Sequence, residues 1–537
     1  MSSARAAYGG GGGGGGAGGG QVRCGRMGPQ FRPILQFQLA DAWGWGWSQH
    51  WSSGDDGVGA TVVEGSAMVW GATASLTTPT PPNARASAAA PPQTAAIALP
   101  GLFGMRLSLD LCARNVQGRK RATSGSAPSA PSYPEPVNLD VNQASIREVC
   151  DAGLLAGALT MVWQRGELLQ VNEIGYRDID AGLPMRRDTV FRIASMTKPV
   201  TVAAVMSLVD EGKLALKDPI VRWAPELADV RVLDDPHGPL DRTHPLGRAI
   251  LIEDLLTHTS GLAYGFSVSG PIAKAYVRLP FNQGPDVWLA ELAKLPLVHQ
   301  PGDRLTYSHS IDLLGVIASR IEGKPFNEVL DERVLGPVGM PDTGFFVSPE
   351  GRRRAATMYR LDGQGRLHHD AMGPPHIKPP SFCNAGGGLW STADDYLRFV
   401  RMLLGDGSID GVRVLSPESA RLMRTDRLTD DQKRHYFLGA PYWVGRGFGL
   451  NLSVVTDPAR SAPLFGPGGL GTFSWPGAYG TWWQADPTAD LVLLYLVQNL
   501  PDMSADVAAA VAGNTSLSKL QSAQPKFVRR TYQALGL

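Results

Sequence analysis

Apolar positions along this 537-residue chain fall into two regimes, and the change comes near residue 137. Beyond it, Leu139, Ile146, Val149 and Cys150 recur at helical spacing before Gly153, which predicts a short helix with a glycine stop. Residues 158–163 and 167–174 are apolar-rich runs on either side of Gln164-Arg165-Gly166, the pattern of a β-hairpin. Near the other end, 448–455, 471–474, 481–485 and 491–497 read as strands between glycine- or proline-marked turns. The middle, from Ser195 to about Gly405, is mostly helical in pattern, for example 201–210 before Gly212 and 391–404 before Gly405. Strands gathered at both ends of one domain must pair with each other. The pattern predicts an α/β (α+β) domain over 137–537, with an antiparallel sheet and a helical region inserted at roughly 200–405.

Residues 1–136 behave differently. Positions 9–20 are glycine apart from Ala17, and the later stretches TTPTPPNARASAAAPPQ and TSGSAPSAPSYPEP offer too few apolar side chains to offset the entropy of ordering them. The expectation is a largely disordered, low-complexity extension.

Charge and cysteine usage narrow the function. Lys plus Arg total 50 and Asp plus Glu 49, so no imbalance points to nucleic acid or an anionic membrane, and a small molecule is the expected partner. The four cysteines lack CxxC spacing, which predicts free thiols without a zinc site. No run reaches the ~18 apolar residues of a spanning helix. A polyglycine tract stands where a leader would carry its apolar core. A cytoplasmic protein without membrane anchor is expected.

Three motifs carry chemistry. In FRIASMTKPVT, Ser195 and Lys198 are three residues apart at the opening of a predicted helix, since Pro199 is tolerated only in a first turn. That spacing puts both on one face, with Cβ atoms ~5–6 Å apart. A lysine whose pKa is lowered by burial can take the serine proton, and the helix N-terminus can face an oxyanion. In PGDRLTYSHSIDLLG, Tyr307-Ser308-His309 precedes an apolar helix. In TFSWPGAYGTWW, a predicted strand carries Trp475-Pro476-Gly477. No HExxH, phosphate loop, dinucleotide fingerprint or G-x-S-x-G elbow occurs, so no metal or cofactor is expected.

Together these motifs resemble the serine β-lactamases, penicillin-binding proteins and family VIII carboxylesterases. Stretches 250–262 and 385–407 also look like structural signatures of that group. The resemblance implies a β-lactamase/transpeptidase-like fold with an all-helical subdomain, Ser195 as nucleophile, and Lys198 and Tyr307 as acid/base partners. By the same resemblance Ala478 N–H joins that of Ser195 in the oxyanion hole, and Gly477 lets the strand approach substrate. Trp475 stands where β-lactamases have lysine, and His309 where they have asparagine. These two departures favour short-chain carboxylic esters over β-lactams. The rival readings are a β-lactamase, D-aminopeptidase or DD-peptidase using the same residues, and a non-catalytic binding homologue. His258, beside Ser260, is expected to satisfy backbone groups at a helix end rather than to react.

Overall fold

The computed structural model describes residues 138–361, 366–370, 373–438, 441–501 and 515–537. The low-complexity extension 1–136 lies outside the described residues, as do Cys24 and Cys112. Cys150 and Cys383 are free thiols. Among the described residues, no helix is long and apolar enough to cross a membrane.

The chain opens on helix α1 (Asp140–Asp151) and then the predicted hairpin, β1 (Gly157–Gln164) and β2 (Glu167–Asp178), followed by the short β3 (Leu183–Pro184). After the central helices come β4 (Arg446–Phe448), β5 (Ser453–Val455), β6 (Phe473–Ser474), β7 (Trp482–Asp486) and β8 (Leu491–Leu496). These eight form one sheet in the order β4-β5-β6-β7-β8-β1-β2-β3. The first and last long strands meet in its middle, antiparallel, with Leu159 opposite Leu496 and Gln164 opposite Leu491. The expected pairing of the two ends of the domain is what closes the fold.

Both faces of β1 and β8 are covered, which is why they read as continuous apolar runs. Leu159, Met161, Val492, Leu494 and Leu496 enter the large central core. Their alternates Ala158, Val162, Leu491, Leu493 and Tyr495 face a second core containing Ile146 and Val149 of α1 and Phe527 and Val528 of the C-terminal helix. The buried Asn142 amide on α1 donates to Thr531 Oγ1 at 2.9 Å, tying these two helices together.

Between the two ends of the sheet lies the helical region. Helix α2 (Thr197–Asp210) is buried on every side from Thr197 to Leu208, as an apolar helix without a polar face must be. Helix α3 (Ser310–Glu322) packs beside it and ends at Gly323 in the left-handed conformation. Helix α4 (Ala393–Leu404) starts at Thr392, whose side chain accepts from Asp395 N–H. The C-terminal helix, α5 (Thr515–Ala534), was given no element by the sequence pattern.

Three differences from the sequence expectations have physical causes. The run 448–455 is a hairpin rather than one strand, because Asn451 turns the chain at φ 63°. The predicted helix at 391 starts two residues later, because Trp390–Ser391 pairs with Phe191–Arg192. Short strands also interrupt the helical region, including Tyr359–Leu361, which pairs with Leu367–His369 and with Asn499–Pro501.

Candidate active site

Ser195 lies in a single helical turn, Ala194–Met196, that runs straight into α2. Pro199 fits because it falls in the first turn, whose N–H groups have no intrahelical acceptor. Ala194, just before the serine, has φ 45°, a conformation costing of order 1–3 kcal/mol for a residue with a side chain. The surroundings impose it. Ile193 N–H donates to Leu389 O at 3.1 Å, Leu389 N–H to Thr197 Oγ1 at 3.1 Å, and the buried Tyr396 hydroxyl to Met196 O at 2.9 Å. The segment 385–407, singled out from sequence, thus braces the Ser195 turn.

Lys198 is 1% exposed. Its ammonium donates to Ser195 Oγ at 3.3 Å and to the Gly386 carbonyl at 2.5 Å, and lies 4.6 Å from the centre of the Tyr307 ring. Burial pulls Lys198 down to about 7, against Asp312, whose negative charge pushes it up. The neutral, proton-accepting amine is therefore accessible near neutral pH.

Tyr307 is also buried, with its hydroxyl accepting from Trp475 Nε1–H at 3.1 Å. Burial raises the phenol above its usual range, and hydrogen bonds from Ser195 and Trp475 oppose that rise. Tyr307 therefore rests as a phenol in contact with both Ser195 and, through its ring, Lys198.

Trp475 itself is 2% exposed and enclosed by Phe448, Phe437 and Tyr442. It lies just past β6 rather than on a strand, because Pro476 cannot donate to a ladder. Its indole acts on the Tyr307 oxygen. Gly477 likewise comes close to protein: a Cβ there would meet Thr481 Oγ1 at 2.1 Å and Ile193 O at 2.4 Å. The Trp475–Gly480 turn is thereby held against the backbone leading to Ser195. Neither Ser195 N–H nor Ala478 N–H donates to a backbone carbonyl among the described residues.

His309 sits immediately before α3 and is 5% exposed. Its Nδ1 is 3.0 Å from Asp312 Oδ2, and Tyr264, Phe281 and Trp288 surround the ring. Burial lowers its pKa, so Nδ1 carries the proton and donates it to the carboxylate. His258 makes side-chain contacts, not the backbone contacts expected of it: Nδ1 lies 2.9 Å from Ser308 Oγ and Nε2 3.1 Å from Asn451 Nδ2. Burial drives His258 well below the usual histidine range, and its ring meets that of Tyr307 edge-on at 4.8 Å. It is a support for the Tyr307 loop.

Ser195, Lys198, Tyr307 and Trp475 thus converge on one cluster. Sequence reasoning passed over Asp312, Gly386 and Tyr264, which complete it. One hint was available, since Asp312 is an acid on the buried side of an otherwise apolar helical run. No group of three or more His, Cys, Asp or Glu among the described residues is arranged to hold a metal.

Comparison with known proteins bears on the family and the fold. The family model described as Beta-lactamase matches residues 143–515. Protein Rv1367c of Mycobacterium tuberculosis is 82% identical over 401 residues, covering 75% of this chain and all of that protein. Esterase EstB of Burkholderia gladioli is 34% identical over 366 residues, covering 64% of this chain and 86% of its own length. Among solved structures, "EstCE1, a hydrolase with promiscuous acyltransferase activity" matches with a TM-score of 0.59 at 26% identity, over 72% of this chain and 98% of that one. The fold is β-lactamase/transpeptidase-like, and the chain belongs to the Beta-lactamase family, within a superfamily of serine hydrolases.

Proposed function

We propose that the protein is a carboxylesterase that cleaves short-chain esters through an acyl-enzyme on Ser195. The observation that carries the reading is the buried Lys198 amine 3.3 Å from Ser195 Oγ, with the Tyr307 hydroxyl in contact with the same serine. Ser195 Oγ attacks the ester carbonyl while its proton passes to the Lys198–Tyr307 pair. The Ser195 and Ala478 N–H groups receive the oxyanion. Collapse of the tetrahedral intermediate breaks the bond to the alkoxy group, which takes the proton back from the pair and leaves as the alcohol. Water repeats the sequence and releases the acid. No cofactor or metal takes part.

Two features favour esters over β-lactams. Trp475 offers no cation for a substrate carboxylate, a charge-assisted contact worth roughly 1.5–3 kcal/mol. His309 is committed to Asp312 rather than offering the amide of an asparagine. EstB, named an esterase, supports the same choice. The reading places the activity in residues 137–537, in the cytoplasm, with a small ester as the partner. Side-by-side kinetics test it: kcat/KM for p-nitrophenyl butyrate is expected to exceed that for nitrocefin by about a hundredfold or more, and comparable values overturn it.

A further inference from the structure

One carboxylate reaches three segments of the site at once. Asp312, in the first turn of α3, has no exposed side-chain surface. Its Oδ1 accepts from Gly386 N–H at 2.8 Å, and its Oδ2 accepts from His309 Nδ1–H at 3.0 Å and from the Tyr264 hydroxyl at 3.4 Å. Gly386 is the residue whose carbonyl accepts from Lys198 at 2.5 Å. The route from carboxylate to nucleophile therefore runs through one residue, Gly386, held by its N–H and giving its C=O, and one ammonium. That route is closely packed: a Cβ on Gly386 would lie 2.6 Å from the Tyr264 hydroxyl and 3.0 Å from both Asp312 oxygens.

We propose that Asp312 is a positioning residue of the active site, whose carboxylate anchors Gly386 by its N–H so that the carbonyl of the same residue holds Lys198 beside Ser195, and whose charge balances the lysine. This inference rests on the esterase reading above and extends it to a residue that touches neither substrate nor nucleophile.

The charge environment supports the second half. Lys198 is faced by Tyr307 from the loop before α3, by His309 and Asp312 from the start of α3, and by His258 and Tyr264 from the segment after Ile252–Leu256. The loop at 386 contributes a carbonyl, and the lysine's own turn contributes Ser195. Burial lowers both histidines and raises both phenols, disfavouring the charged form of each. Asp312 supplies the negative charge that acts on the lysine, and it favours the ammonium form. Removing it lowers the pH at which Lys198 loses its proton.

Asp312→Asn tests this, because it keeps the shape and an oxygen for Gly386 N–H while deleting the charge. The reaction of Ser195 with a fluorophosphonate and the hydrolysis of p-nitrophenyl butyrate are followed from pH 5 to 9 in the full chain. The expected result is a limb of the pH profile displaced by about one unit or more to lower pH, with kcat reduced about tenfold or more and KM changed little. Gly386→Ala leaves the charge in place and displaces the carbonyl, so it is expected to slow labelling without moving that limb. A labelled wild type whose profile Asp312→Asn reproduces overturns this inference alone, and so does a Gly386→Ala protein that reacts at the wild-type rate. A wild type that neither labels nor hydrolyses the ester overturns the esterase reading and this inference with it.

Discussion

The two faces of the sheet differ in what they bury. Against α1 and α5 the layer is Ile146, Val149, Leu491, Leu493, Phe527 and Val528, with polar ties to the helices from Asn142 to Thr531 and from the Tyr532 hydroxyl to the Asp486 carboxylate. On the side of α2 and α3 the buried layer also contains Lys198, Asp312, His258 and His309, each at most 5% exposed. Burying charge costs several kcal/mol per ion before pairing offsets it, so those four polar side chains are no route to stability. They are retained where a lowered lysine and a fixed imidazole are useful. The apolar packing should therefore govern folding and the cluster around Lys198 reactivity.

The sharpest break of that division is Ser195→Ala. Activity on p-nitrophenyl butyrate is expected to fall by about four orders of magnitude, ~5.5 kcal/mol of transition-state stabilisation, while the melting temperature stays put. Retention of a tenth of wild-type kcat would remove Ser195 from the chemistry. Phe527→Ala makes the opposite test, with an expected loss of about 3–5 kcal/mol in denaturant unfolding and an unchanged kcat for the folded fraction. If kcat falls as well, the two layers are not separate.

Tyr307→Phe refines the boundary, since it keeps the ring that Lys198 faces and removes the hydroxyl that Trp475 and Ser195 reach. A fall in kcat of about a hundredfold, ~2.7 kcal/mol, is expected. Fold stability should drop by no more than about 1–3 kcal/mol for the indole N–H left without its acceptor. Full activity in a folded variant would reduce Tyr307 to packing. The smallest effect is expected from deleting residues 1–136: kcat and unfolding free energy should both stay within about 0.5 kcal/mol of the full chain. A larger drop in either would show that the extension packs on the domain.

What the sequence made legible follows the same division. Strands β1, β2, β7 and β8 could be read because their apolar runs are long and bounded by turns, and their pairing followed from their clustering at the two ends. Ser195, Lys198 and Tyr307 were legible because each sits in a short motif next to a helix start. Failures came where one residue overrides a pattern: Asn451 folds 448–455 into a hairpin, and Pro476 ends the strand before Trp475. Helix α5 escaped notice because Pro525 interrupts a polar run that only the sheet makes amphipathic. Asp312 could be noticed as a lone acid in an apolar run but not interpreted, for a further reason. Its partners Tyr264 and Gly386 lie 48 and 74 residues away in sequence, so the lone acid gains a meaning only when three segments meet. Trp475 was legible as a replacement for lysine, while the bond from its N–H to Tyr307 was not.

The central claim is that Ser195, activated by Lys198 and Tyr307, becomes acylated during ester cleavage. Rapid quenching of the enzyme with p-nitrophenyl butyrate, followed by intact-mass and peptide mass spectrometry, tests it most directly. The account predicts a single butyryl adduct on the peptide containing Ser195, absent from Ser195→Ala; an adduct on another residue, or ester turnover unchanged in Ser195→Ala, would contradict it.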